Sequence, residues 1–171
     1  MKVFSALLSQ RGLHLLSLQS IEPKNPIYPA VYPAHNCPCL VIVTQGPNST
    51  EDNIKLAETV RNLQHPHILC LYDCLLFQTG CLVQVVENYH CNLMQEVNRR
   101  QLTCEPWTEF ELWHHVRSLI SAFHYISTQA FKKQVISPYS FFLTPDRSNL
   151  KVACYQTSSS DSQMVETYFL C

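Results

Sequence analysis

The length, composition and charge of this chain exclude several classes of protein. Its 171 residues are 46% apolar and 15% charged, which is enough apolar material for one domain or two small lobes. The net charge of −1 argues against the basic surface that binds nucleic acid, and no apolar run reaches the ~18 residues of a membrane span. Residues 1–8 are too short an apolar stretch for a secretory signal, so we expect a cytoplasmic protein.

Prolines dominate the N-terminal segment, residues 1–36, which is the hardest part of the chain to interpret. Their spacing is typical of edge strands or extended loops, at Pro23, Pro26, Pro29 and Pro33. Residues 13–21 can form a strand before them. The continuous β-prone run at residues 39–44 predicts a buried strand.

A helix and a hairpin are predicted next. Ser49 or Thr50 caps the helix, whose apolar face consists of Ile54, Ala57, Val60 and Leu63. His65-Pro66 ends it. Residues 68–76 and 81–86 are then predicted as two strands, joined by a turn at residues 77–80.

The second half of the chain is organised around a long helix, predicted over residues 109–129. A short helix at residues 93–100 precedes it, and Thr108 with Glu111 forms a capping box at its start. Its apolar residues recur at helical spacing along one side: Leu112, Trp113, Val116, Leu119, Ile120, Phe123 and Ile126. We expect either the core or a protein partner to cover this stripe. The opposite side is polar and is expected to face water: Glu111, His114, Arg117, Ser118, Ser121 and His124.

A second hairpin follows the long helix. Residues 141–144 and 150–155 are its predicted strands, and Asp146 lies in the turn between them, where turn chemistry explains it.

The nine cysteines allow three interpretations. The run from His35 to Cys39 contains a C-x-C spacing at Cys37 and Cys39, whereas zinc sites favour C-x₂-C. Other cysteines fall inside strand-like runs, where a free thiol packs as a small apolar side chain. We therefore predict core cysteines and no metal site, with zinc ligands and disulfides as the alternatives.

Five segments, in this order, resemble a eukaryotic protein kinase over roughly residues 38–171. Residues 63–69 (LQHPHIL) resemble the family's L-x-H-P-N-I-V segment, and residues 82–87 its fifth strand and hinge, with Val86 at the gatekeeper position and Glu87 in the hinge. Residues 119–126 resemble the long C-lobe helix, residues 140–143 the N-I-L-L after the catalytic loop, and residues 165–170 the end of the activation segment. The tryptophan in the long helix is faintly similar to the NIMA-related group.

The resemblance also implies that the catalytic groups are missing. Kinases need a lysine on the third strand paired with a helix glutamate, a catalytic-loop aspartate, and an asparagine and a D-F-G aspartate that hold Mg²⁺. The third-strand lysine matches Thr44 and the helix glutamate matches Leu56. The catalytic-loop aspartate, lysine and asparagine match Val135, Ser137 and Ser140, and D-F-G matches Cys154-Tyr155-Gln156. The chain has only three glycines, too few and too far apart for the phosphate-covering G-x-G-x-x-G loop.

These observations predict an α+β, kinase-like fold with a reduced C-lobe. We divide it into the proline-rich segment 1–36, an N-lobe-like sheet and helix at 37–92, a partial C-lobe at 93–156 and an activation-segment-like tail at 157–171. The predicted function is that of an inactive pseudokinase, truncated before A-P-E, which binds a protein partner and needs no cofactor. The predicted interaction surface comprises Trp113, Val116, Ile120 and Phe123. The alternatives are a divergent ATP-binding kinase, a small cysteine-rich metal protein, and a truncated product without a settled function.

Overall fold

The computed structural model describes residues 8–10, 12–17, 19–21, 26–32, 34, 36–45, 51–77, 81–129 and 137–154. The chain divides into two compact units. Unit 1 comprises Met1–Leu63 and Cys70–Asn88, and unit 2 comprises Gln64–Leu69 and Tyr89–Cys171.

Unit 1 is built on a five-stranded antiparallel sheet. The strands are β1 (His14–Leu15), β2 (Ile27–Tyr32), β3 (Cys37–Gln45), β4 (Leu71–Leu76) and β5 (Cys81–Glu87), in the spatial order β1-β2-β3-β5-β4. Helix α1 (Glu51–Arg61) lies between β3 and β4 in the chain and packs against β4. The expected buried strand is therefore confirmed as β3, and the expected hairpin as β4 and β5.

The core of unit 1 follows the pleat of the sheet. Val41 pairs with Val85 and Val43 pairs with Val83, so these four side chains project from one face into a cluster with Leu13. Leu40 and Val86, a pair on the opposite face, are also buried, as are Ala57, Val60 and Leu63 on and after α1. The predicted apolar face of α1 is thus buried at these three positions, and the side chain of Ile54 lies outside the described residues.

Three strand predictions are wrong in detail. The strand expected over residues 13–21 is reduced to two residues, His14–Leu15. The Leu16 N–H still donates to the Pro29 carbonyl at 2.8 Å, and the regular pairing ends there. Strand β2 is not an edge strand, because it lies between β1 and β3. Its outer side is paired by β1 and by the N–H groups of Leu16 and Ile21, and Pro29 takes part there through its carbonyl, which needs no N–H. Strand β4 begins at Leu71 and not at residue 68.

Unit 2 contains two helices and a three-stranded antiparallel sheet. Its elements are β6 (Cys91–Asn92), α2 (Leu93–Thr103), α3 (Glu109–Thr128), a 3₁₀ turn (Pro138–Ser140), β7 (Phe141–Leu143) and β8 (Leu150–Val152), with the strand order β6-β7-β8. Ile68 bridges Val152 in parallel, which explains why it does not belong to β4. The predicted long helix and second hairpin are confirmed as α3 and β7–β8.

Local side-chain hydrogen bonds fix the ends of these elements. Asn92 and Gln95 form a capping box at the start of α2, and the predicted box of Thr108 and Glu111 is present at the start of α3. Asp146 accepts hydrogen bonds from the Ser148 N–H and hydroxyl, which confirms it as a turn residue. The hydrogen bond from the Thr144 hydroxyl, followed by those from Ser148, lowers the pKa of the Asp146 carboxyl to about 2. Among the described residues, no helix has the length and apolar character needed to cross a bilayer.

Candidate functional site on the long helix

A buried carboxylate links α2 to the start of α3. The Glu96 side chain is 1% exposed, and its two oxygens accept hydrogen bonds from Arg99 at 2.7 and 2.8 Å and from Arg100 at 3.0 Å. Arg100 also donates to Glu111, in the first turn of α3, at 2.7 Å. The bonds from Arg99, followed by those from Arg100, lower the pKa of the Glu96 carboxyl to about 2, so this acid stays ionised although it is buried.

The same arginine organises two aromatic rings. The Arg100 guanidinium lies 3.8 Å from the centre of the Trp107 ring, a cation–π contact. Trp107 in turn meets the His115 ring edge-on at 5.4 Å. The hydrogen bond from Arg100 is also the main reason why the pKa of Glu111 is lowered to about 2. Arg100 therefore contacts Glu96, Glu111 and Trp107 at once, and this cluster holds the N-terminal half of α3.

The buried side of α3 is not the side that its sequence predicts. The buried residues are His115, Ser118 and Ala122, and α3 packs against β8. Of the predicted apolar stripe, Leu119, Phe123 and Ile126 are half-buried, whereas four residues remain exposed: Leu112 48%, Trp113 58%, Val116 41% and Ile120 62%. Phe110, which lies beside them, is 81% exposed. We call these five exposed residues the Trp113 face. The expectation that Ser118 faces water is wrong, because small side chains let the helix approach the hairpin closely and bulky ones do not.

The four residues predicted as an interaction surface do not all share this face. Trp113, Val116 and Ile120 are exposed. Phe123 is half-buried, and its ring lies edge-on to Phe141 of β7 at 6.3 Å. The structure adds Phe110 and Leu112, which lie near the N-terminus of α3.

A shallow depression borders the N-terminal part of this face. Its described lining consists of Glu109, Phe110, Trp113, His114 and Arg117. The Trp113 indole N–H donates to a Glu109 carboxylate oxygen at 3.3 Å. The depression therefore combines the rings of Phe110 and Trp113 with the Glu109 carboxylate at one end and the Arg117 guanidinium about two helical turns further along. Aromatic and arginine side chains are common where one protein binds another.

The residues at the kinase-like catalytic positions fall in both units. In unit 1, Val86 is fully buried in β5, and the hinge residue Glu87 accepts a hydrogen bond from the Cys70 N–H at 3.2 Å. Thr44 lies on β3 and Leu56 on α1, but their side chains lie outside the described part of the structure. Val135, Tyr155 and Gln156 lie outside it altogether.

Three of these positions, Ser137, Ser140 and Cys154, lie near one another in unit 2. The Ala153 N–H donates to the Ser140 carbonyl at 2.8 Å, which places Ser140 beside the end of β8, where Cys154 is fully buried. The hydroxyls of Ser137 and Ser140 are 3.3 Å apart. Ser137, Ser140 and Cys154 provide two hydroxyls and a thiol but no carboxylate. As a set they are poor ligands for Mg²⁺, which prefers carboxylate oxygens.

One group of possible metal ligands occurs among the described residues: His90, Cys91 and Glu96. Both oxygens of Glu96 already accept guanidinium hydrogen bonds, and a cation there would face Arg99 and Arg100. Burial raises the pKa of the Cys91 thiol, which disfavours the thiolate that binds metals. This group is a poor metal site as it stands.

No disulfide joins any two of the described cysteines. They are Cys37, Cys39, Cys70, Cys74, Cys81, Cys91, Cys104 and Cys154. Burial, together with the nearby Cys37 thiol, raises the pKa of Cys39 to about 12, so it stays protonated in the core. The interpretation of Cys39 as a core residue is consistent with this environment.

Sequence reasoning missed the residues that position the site. Glu96, Arg99 and Arg100 have the i, i+3 and i, i+4 spacing of helical ion pairs, a signal that was present in the sequence. That spacing does not reveal burial, because most such pairs lie in water. Comparison with models of protein families and with curated proteins finds no match to this chain.

Replacing the buried acid should destabilise unit 2. In Glu96→Gln the neutral amide leaves Arg99 and Arg100 without their shared anion, and we expect a loss of about 3 kcal/mol in the free energy of unfolding, measured by urea titration. Glu105→Gln is the matched control, because the Glu105 carboxylate bonds the same Arg99 but is 57% exposed. An equal effect of the two substitutions would contradict the assigned role of Glu96.

Acidification should destabilise the protein in part through His115. The residue is buried, its Nδ1 has no hydrogen-bond partner among the described residues, and burial lowers its pKa below 6.5. Because the unfolded chain takes up this proton at a higher pH than the folded chain, its contribution to stability is complete above pH 6.5 and is lost as the pH falls below it.

The test compares His115→Phe with the wild type in urea titrations between about pH 7 and pH 5. We expect a shallower loss of stability in the variant, since the ring contact with Trp107 is kept and the proton site is removed. The loss should not disappear, because burial also lowers the pKa of His65 and His67. His124→Phe, at an exposed position of α3, should keep the wild-type slope. Identical slopes for all three proteins would contradict the role of His115.

Proposed function

We propose that this chain is a catalytically inactive, protein kinase-like module that binds another protein through the Trp113 face. The single observation that carries the proposal is the orientation of α3. The helix buries His115, Ser118 and Ala122 and leaves the five large apolar residues of the Trp113 face exposed.

The extent of the Trp113 face supports a binding role. Fully exposed aromatic side chains contribute about 150–250 Å² each, so the exposed fractions of Phe110 and Trp113 together amount to about 300 Å². With Leu112, Val116 and Ile120 the face reaches on the order of 500 Å², near the upper end of what monomers usually expose, where such patches are often functional. Isolated exposed apolar residues need no such explanation.

The arrangement of unit 1 supports the kinase-like part of the proposal. The family resemblance identifies residues 39–44 as a third strand and residues 82–87 as a fifth, which requires two strands within the proline-rich segment before them. Two strands, β1 and β2, do precede β3, and the segment at 82–87 is β5. A single helix between β3 and β4 and an antiparallel sheet with β3 at its centre agree with the family's N-lobe as the resemblance describes it.

Residue chemistry supports the inactive part. A kinase holds Mg²⁺ with an asparagine and an aspartate, and the matching positions carry Ser140 and Cys154. The lysine position carries Thr44, and the catalytic aspartate position carries Val135. Removal of one preorganised electrostatic group costs roughly 3–4 kcal/mol in a reaction barrier, so the loss of several leaves phosphoryl transfer negligible even when their effects do not add.

Nucleotide should not stabilise the protein. We expect no shift in the thermal unfolding midpoint with ATP and Mg²⁺, because the groups that grip phosphate and metal are missing. A site holding ATP at about 100 times its Kd would add about 2.7 kcal/mol, a shift that differential scanning fluorimetry detects easily. Stabilisation that requires both ATP and Mg²⁺ would favour the divergent kinase instead.

Substitution on the Trp113 face should separate binding from folding. In Trp113→Ser/Ile120→Ser we expect the thermal midpoint of the dilute monomer to stay close to that of the wild type, because both side chains are more than half exposed. Binding to a protein partner should weaken by about 30-fold or more, as expected for the loss of one hot spot of about 2 kcal/mol.

The matched control is Leu102→Ser. Leu102 is 87% exposed, but it lies on α2 and is not part of the Trp113 face. The wild type, the double variant and the control are each immobilised, and the amounts of partner protein that they capture are compared. Each protein that the wild type retains and the double variant does not is then titrated against all three to give its Kd. Equal retention by all three would refute the assignment of the binding surface to α3.

A further inference from the structure

The Trp113 face carries its own complementary charges. Glu109 and Arg117 lie four residues before and four residues after Trp113, so each is displaced by about 6 Å along the helix axis, in opposite directions. Both side chains are exposed, and neither forms an ion pair with a residue that the structure describes. The face is therefore acidic at one end, basic at the other and aromatic between them.

This pattern fits a second copy of the same face. A two-fold axis near Trp113 sets two α3 helices antiparallel, and it brings residues whose numbers sum to 226 to the same level. Glu109, Trp113 and Arg117 form one i±4 ridge of α3, and when the two ridges pack side by side Glu109 meets Arg117 of the second copy, twice by symmetry. A parallel arrangement would bring Glu109 against its own equivalent, which like-charge repulsion disfavours.

The area is sufficient for reversible association. The face exposes on the order of 500 Å² on each copy, so two copies would bury at most about 1,000 Å², which is close to the lower limit for a specific interface. Trp and Phe at the centre, with charged groups at the rim, match the usual anatomy of interfaces. An interface of this size predicts a dimer that depends on protein concentration and not an obligate one.

We propose that two copies of this chain associate through the Trp113 face, with their α3 helices antiparallel and Glu109 of each copy paired with Arg117 of the other. This inference rests on the proposed function, because it names the partner of the same surface. It commits to a self-complementary surface, whereas the proposed function requires only that some protein binds there.

A charge exchange tests the pairing. Sedimentation velocity over a range of concentrations gives the dimer dissociation constant for the wild type, Glu109→Arg, Arg117→Glu and the variant with both substitutions. We expect each single substitution to raise the dissociation constant roughly tenfold, because it makes two like-charge contacts in the dimer. The double variant restores opposite charges and should return to within about threefold of the wild type.

Two further variants complete the design. Trp113→Ser should abolish the dimer, and Leu102→Ser should leave it unchanged. Circular dichroism and thermal midpoints should show that all variants fold. A double variant that dimerises no better than the single ones would overturn the antiparallel pairing of Glu109 with Arg117, and an effect of Leu102→Ser equal to that of Trp113→Ser would overturn the use of this face.

A wild type that stays monomeric overturns the dimer, and the Trp113→Ser variant then decides the fate of the proposed function. If the substitution leaves the thermal midpoint unchanged but abolishes binding of a different protein, the face binds a hetero-partner and the proposed function stands. If it destabilises the monomer, the rest of the same chain covers the indole, and both proposals fail.

Discussion

The buried ion cluster at the α2–α3 junction is the constraint that the candidate site depends on. Glu96 is ionised and out of water, so it requires the guanidinium groups of Arg99 and Arg100 at close range. Arg100 then fixes Glu111 one turn into α3. Because Glu111 lies on the same side of the helix as His115, this contact sets the rotation of α3 about its axis and decides which side chains reach the hairpin.

Hydrophobic pattern alone could not have predicted that rotation. The buried positions 115, 118 and 122, with the half-buried position 111 before them, follow a 4-3-4 spacing, and the exposed positions 109, 113, 116 and 120 follow the same spacing two residues earlier. At about 100° per residue the two sets point in nearly opposite directions. Both are valid helix faces, and a rule that buries the more apolar one selects the set containing Trp113. The signal that was needed is the small size of Ser118 and Ala122 together with the ion pair of Glu111.

Local signals predicted the elements well, and long-range pairing explains what they missed. The capping box at Thr108, the turn at Asp146 and the β-prone run in β3 are determined within a few residues, and each is confirmed. The residue at which β4 begins is not determined locally, because Ile68 forms a bridge with Val152, which is distant in the sequence. The position of β2 inside the sheet likewise depends on a two-residue partner that no propensity scale distinguishes from a loop.

The same physical rule explains the residues at the kinase-like positions and those in the α2–α3 cluster. A buried aspartate needs a cation or several donors, as Glu96 does with its two arginines. Cys154 is fully buried after β8, where a cysteine packs as a small apolar side chain. Under the proposed function, a thiol in place of the family's aspartate makes the end of the hairpin a packing site. The same proposal explains why large apolar residues of α3 are exposed in the single chain, since a partner covers them in the complex.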